Sequence, residues 1–193
     1  MSTAAEAVAA AATADDVLGT WFPEEAFQPW WFRSSDEMDE RLRVTLGPLS
    51  EQAVQGKLDH WADEGPQSAL ALLILLDQVP RNINRGSATA FAGDALALAV
   101  SKRGIEHSWW DELPAPQRMF TLLPLQHAED LEAQELSVQQ SKALGMDMLT
   151  DYAQKHYDII KQFGRFPHRN AALGRESTAD EVEYLRSADR FGQ

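Results

Sequence analysis

Pro66-Gln67-Ser68-Ala69-Leu70-Ala71-Leu72-Leu73-Ile74-Leu75-Leu76-Asp77-Gln78-Val79-Pro80 is the stretch that decides the fold class. Eight successive apolar residues, Ala69 to Leu76, fall far short of the roughly 20 that cross a bilayer, so the run belongs in a protein core. Such a run suits a buried strand or a buried helix. Its length and its Ala/Leu content, with a single Ile and no Val before position 79, favour helix. Proline suits the first turn, and Pro80 is expected to end the helix. A helix apolar on all sides must be surrounded, so it is expected at the centre of the molecule.

Outward from that helix the chain reads as further helices joined by short turns. On the N-terminal side, Asp15 or Asp16 is expected to cap a helix through Trp21 that Pro23 breaks. Ser34-Ser35-Asp36-Glu37 is a second start, followed by Met38, Leu42, Leu46 and Leu49, with Gly47-Pro48 interrupting. On the C-terminal side, helices are predicted over Ser87–Lys102 (ended by Gly104), Pro116–Leu123 (closed by Pro124), Glu129–Leu144 (Gly145) and Met146–Gln162 (Gly164). Ser177 to Glu181 caps a last helix reaching about Ser187. No segment alternates with period two over a strand's length. The expectation is an all-α domain of antiparallel helix pairs around a central apolar helix, over residues 15–190, behind a flexible alanine-rich tail at 1–14.

Composition narrows the function. The net charge of −13 and five scattered lysines argue against a nucleic-acid surface, where clustered cations must meet phosphate. No membrane partner is expected. The absence of cysteine excludes disulfides and thiolate metal sites and fits a cytoplasmic location. Walker, GxSxG, GxGxxG and HExxH motifs are missing, and no histidine follows a glutamate by three residues. The sequence does not identify a cofactor.

Against this acidic background two cationic stretches stand out. The first is Asp77, Gln78, Arg81, Asn82 and Arg85, at the end of the central helix. A guanidinium fork for phosphate or carboxylate, held by Asp77, is one reading. Arginines capping carbonyls at the negative end of a helix dipole are the other. The second, Gly164 to Arg175, carries Arg165, His168, Arg169, Asn170 and Arg175 with no carboxylate. That exceeds what one helix end requires, so a ligand site is the better reading there. His127 precedes Glu129 and Asp130, which are ordinary first-turn dipole partners. A histidine oriented by a carboxylate near arginines suits general acid/base chemistry, with His127, Glu129 and His168 as candidates. Metal ligation by His127, Glu129 and His156 has no supporting spacing. The tryptophans, including the pairs Trp30-Trp31 and Trp109-Trp110, read chiefly as core, with one of each pair free to line a cleft.

Three segments together resemble a bacterial family of unknown function, domain family 924. They are Leu75–Gly86 (LLDQVPRNINRG), Leu123–Leu131 (LPLQHAEDL) and Phe163–Glu181 (FGRFPHRNAALGRESTADE), with Thr20-Trp21-Phe22 as a looser match, and the resemblance spans about residues 15–188. Val79 stands where Phe is usual, Ala128 where Ser is usual, and Asn84 where an aromatic is common. The resemblance implies an all-helical fold similar to tetratricopeptide-repeat proteins and no established activity. The leading expectation is a pocket for a small anionic ligand, with Arg81, Arg85, Arg165, Arg169 and Arg175 supplying charge. In that expectation Gln78, Asn82 and Asn170 orient the ligand, and a hydrolase or transferase step is open. The competing expectation is a helical module clamping an acidic peptide. A third has the arginines merely pairing with Asp77, Glu129 and Asp130, without a cavity beside them.

Overall fold

The computed structural model describes residues 13–24, 27–33 and 35–186. Among them there are helices and turns and no strand, so the fold is all-α. Nearly all of the expected tail and the end of the last expected helix, including Ser187, lie outside the described residues.

Helix α1 (Ala14–Trp21) is capped by Thr13 rather than by either aspartate. Asp16 sits three residues on and closes the box: Thr13 Oγ1 accepts from the Asp16 N–H at 3.3 Å, and the Asp16 carboxylate accepts from the Thr13 N–H at 2.8 Å. A short 3₁₀ turn over Pro29–Trp31 leads to α2 (Asp36–Thr45), capped by Ser35, and α3 (Gly47–Val54), which Pro48 opens.

The central segment begins as α4 (Pro66–Leu73), and residues 69–76 are at most 1% exposed. Pro80 does not end it. Ile74–Gln78 forms a π turn, with the Val79 N–H bonded to the Ile74 carbonyl, and α5 (Val79–Ile83) continues with Pro80 in its first turn. A proline removes a helical donor and crowds the carbonyl four residues back; the wider turn accommodates it. That carbonyl, of Leu76, lies so close to Gly93 that a Cβ there would stand 2.2 Å from its oxygen.

The helix expected over 87–102 is split into a 3₁₀ turn at Ala88–Phe91 and α6 (Asp94–Glu106). Gly104 stops nothing. It lies within α6, and Trp110 packs where its side chain would be, with a Cβ 1.9 Å from the indole ring. Helix α7 (Ala115–His127) runs through Pro124 rather than closing there. In the turn the proline disturbs, Ser101 Oγ donates to the Thr121 carbonyl at 2.5 Å. Helices α8 (Leu131–Leu144) and α9 (Asp147–Phe163) end where expected, at Gly145 and Gly164 in left-handed conformation, and pack along each other. Helix α10 (Ala179–Leu185) is capped by Thr178 and Glu181.

The core forms where α1, α6 and α7 pack around α4. Phe120 is its hub: Trp21, Phe22 and Trp31 meet that ring at centroid distances of 5.7, 5.4 and 4.9 Å, all edge-on. Among the described residues no helix is long and apolar enough to cross a membrane.

Candidate functional site

The π turn, α5 and the turn after it supply Asp77, Gln78, Arg81, Asn82 and Arg85, and the last turn of α7 supplies Gln126 and His127 because that helix survives Pro124. Asp77 is the hub. It is 1% exposed and accepts from Arg81 Nη1 at 2.9 Å, from the Gln78 amide, and from His127 Nδ1 at 2.7 and 3.0 Å. A carboxylate only accepts, so His127 Nδ1 carries the proton and Nε2 keeps a lone pair while the ring is neutral. The carboxylate that orients His127 is therefore Asp77, not Glu129.

Electrostatics keep that pair as carboxylate and neutral imidazole. Burial pushes the Asp77 carboxyl up, but Arg81 and His127 outweigh it and hold it well below the usual carboxylate range. His127 is lowered, first by burial and then by the Arg81 charge, against the pull of Asp77. His156 on α9 lies with its ring 6.2 Å from that of His127 and is lowered to about 3, mainly by burial. Its Nδ1–H donates to the Tyr152 carbonyl at 2.7 Å.

Both His127 and His156 line a cavity of about 680 Å³. Gln78, Arg81, Asn82, Arg85 and Gln126 complete its polar half. The other half is apolar: Phe27, Trp30, Trp31 and Phe32 come from the loop around the first 3₁₀ turn, and Met148, Leu149 and Tyr152 from α9. Of the tryptophan pairs, Trp30-Trp31 lines this cavity. Trp110 is instead core and Trp109 stacks on His107.

The arginines are already partnered. Arg81 bridges Asp77 and Asp94, with Nη1 at 2.9 Å from each carboxylate. Arg85 forks onto Asp39 of α2 at 2.9 and 3.1 Å and reaches Asn82 Oδ1 at 2.8 Å, while Asn82 Nδ2 donates to the Gln78 carbonyl. The second cationic stretch does not line the cavity. Arg165 forks onto Glu181 at 2.6 and 2.8 Å, and Arg175 forks onto Glu129 at 2.6 and 2.9 Å. Asn170 accepts from Arg175 and donates to Ser177 and Glu181. Glu129 also accepts from the Phe166 N–H, and Asp130 is the N-cap of α8, accepting from the Ala133 N–H. Arg169, 5% exposed, lies over the rings of Phe91 and Phe166 at 4.7 and 4.4 Å and donates to Asp94 at 3.2 Å. Burial, with the Arg81 charge adding to it, lowers Arg169 to about 10. His168 stands beside Phe166 and is lowered to about 4, first by burial.

The two cationic stretches thus meet at Asp94, through Arg81 and Arg169, but only the first reaches the cavity. Asp39, Asp94 and Glu181 are the carboxylates that sequence reasoning missed. With them, each of the five arginines has a carboxylate partner. Gln126 and Arg33 were missed as well, although Arg33 directly follows the aromatic cluster Trp30-Trp31-Phe32.

A family model described as a bacterial protein of unknown function (DUF924) matches residues 17–189. The chain belongs to this family. In this DUF924 protein the segments 75–86 and 123–131 supply most of the polar lining of the cavity, and 163–181 bonds to Glu129 and Asp94 without lining it. The solved structure of the protein of unknown function ATU0120 from Agrobacterium tumefaciens is similar, with a TM-score of 0.84 and 35% sequence identity. The match covers 91% of this chain and 97% of that one. No curated protein matches the chain.

Proposed function

We propose that this DUF924 protein binds a small anionic ligand in the cavity and performs acid/base chemistry on it, with His127 as the proton-transfer group. One observation carries the reading: the His127 ring is held at Nδ1 by the buried Asp77, and the same residue lines a cavity of about 680 Å³. In that arrangement Nε2 is the nitrogen left to take a proton from a ligand or a water molecule. Arg81 keeps Asp77 ionised, Asp77 fixes the tautomer, and burial keeps the ring neutral and ready to act as a base. Without a serine elbow or a cysteine, acid/base chemistry is preferred to covalent chemistry, so hydrolysis or transfer on an ester or amide is the reaction class.

The peptide-clamp reading draws on the aromatic mouth. The cavity volume falls within the range of roughly 300–1,000 Å³ typical of small-molecule sites. The five arginines that would grip an acidic peptide are each committed to a carboxylate. The volume favours the small ligand, whereas the committed arginines weigh equally on both readings.

The test is a screen of phosphoesters, carboxylic esters and amides with wild type, His127→Ala and Asp77→Asn. Turnover is expected to fall by about 10²–10⁴ in His127→Ala. Because His127 is lowered from its ordinary value of 6.5, the acid limb of kcat/KM should lie below that pH. Turnover equal in wild type and His127→Ala would remove His127 from the chemistry.

A further inference from the structure

The two halves of the cavity ask for different things. Around the polar half, Arg81 and Arg85 are bound to Asp77, Asp94 and Asp39, so charge there is balanced before any ligand arrives. Arg33 differs. It lines the cavity at its exposed mouth and makes no ion pair or hydrogen bond among the described residues. A guanidinium with its fork unoccupied matches a carboxylate in shape and charge. A single such cation in a chain of net charge −13 suits a monoanion better than a dianion.

Deeper in, Gln126 is 2% exposed and lines the cavity, and its Nε2 has no acceptor among the described residues. His127, the next residue in the same helical turn, lines the cavity too. A buried amide donor left without a partner is costly to keep, and a ligand oxygen would remove that cost.

The apolar part of the wall is aromatic and sulfur-bearing. Phe27 and Phe32 are each 51% exposed, Met148 47% and Tyr152 41%, so four large side chains of this wall also reach solvent. Exposed apolar surface gathered around a concavity marks a place where apolar matter is bound.

We propose that the ligand is an amphipathic carboxylate. Its carboxylate pairs with Arg33 at the mouth, its apolar chain or ring packs between Trp30 and Phe32 on one side and Met148 and Tyr152 on the other, and a neutral oxygen accepts from Gln126 Nε2 beside His127. This rests on the cavity reading above and names the class of molecule for that site.

The test is calorimetric titration at fixed ionic strength with acetate, hexanoate and decanoate, and with hexan-1-ol as the uncharged partner of hexanoate. Wild type should bind about tenfold tighter for every two methylenes that reach the aromatic wall. It should also prefer hexanoate to hexan-1-ol by about tenfold or more, the size of one charge-assisted pair. Arg33→Gln should erase the preference for the charged ligand while keeping the chain-length effect. Trp30→Ala should do the reverse, and Phe32→Ala, at an exposed position, repeats that arm without burdening the core. Affinity independent of chain length overturns the apolar assignment, and a charge preference that survives Arg33→Gln overturns the Arg33 assignment. Both failures leave the His127→Ala loss of turnover standing. If chain-length and charge effects hold while His127→Ala turns over normally, the acid/base reading alone falls. Absence of binding by every probe overturns the carboxylate assignment and leaves the turnover test of the acid/base reading to stand or fall separately.

Discussion

Replacing His156 with asparagine isolates the most strongly perturbed histidine of the cavity from the rest of the fold. An asparagine amide can keep the donation to the Tyr152 carbonyl that Nδ1 makes at 2.7 Å, but it cannot titrate. His156 is 6% exposed, and burial, with His127 and Arg169 adding to it, lowers its pKa from 6.5 to about 3. As pH falls, the unfolded chain takes the proton first. The stability contribution is therefore whole above about 6.5 and is lost progressively between 6.5 and 3. At pH 5 the unfolded imidazole is protonated about thirtyfold over neutral while the folded one is not, which removes about 2 kcal/mol relative to pH 7. The shorter side chain also opens space at every pH, so the readout is the slope and not the level. Urea denaturation at pH 7, 6 and 5 should show His156→Asn losing about 2 kcal/mol less than wild type across that range. His127 and His168 titrate in both proteins and cancel to first order. Parallel curves for the two proteins would refute the burial argument, because they require His156 to hold its ordinary pKa in the folded state.

Two scaffold predictions follow from contacts described above. Gly104→Ala places a Cβ 1.9 Å from the Trp110 ring, and it should cost about 1–3 kcal/mol in thermal or urea unfolding. An unchanged Tm would mean that the indole shifts freely. Asp94→Asn removes the carboxylate that Arg81 and the buried Arg169 share and should cost about 3 kcal/mol. A loss below about 1 kcal/mol would show that Asp77 alone suffices for both guanidiniums.

The helical class was legible because it rests on local signals. The Ala/Leu run at 69–76 has no β-branched pattern, and Gly145 and Gly164 stop α8 and α9 by adopting the left-handed conformation that glycine permits. The misreadings share a cause: a residue with a local meaning was overruled by a distant partner. Pro80 and Pro124 would break an isolated helix, yet a π turn absorbs the first and α7 runs on through the second, with Ser101 Oγ on a carbonyl of its turn. Gly104 reads as a stop, but it is a notch cut for Trp110. At the site, the segment 77–85 and His127 could be picked out from residue types alone. Their partners could not. Asp39 lies 46 residues from Arg85 and Asp94 lies 75 from Arg169, and no pattern within a window links such pairs. For the same reason the acid-free loop at 164–175 looked like a ligand site: its carboxylates, Glu129 and Glu181, lie outside it and brace it.

The π turn at Ile74–Gln78 sets the phase between two halves of one continuous helical rod. Each residue of an α-helix advances the side chains by about 100°, so one extra residue taken into a wide turn rotates everything beyond it by that angle. Upstream, the rod presents apolar side chains all round. Downstream, the rotated face carries Asp77 to His127 and Arg85 to Asp39. Tightening the turn to regular α-helix with every residue kept would leave the apolar stretch as hydrophobic as before. It would also swing the carboxylate and both arginines about a quarter-turn away from their partners. The polar cluster and the core are thus held in register by the wide turn, and a regular helix of the same sequence would fold without that cluster.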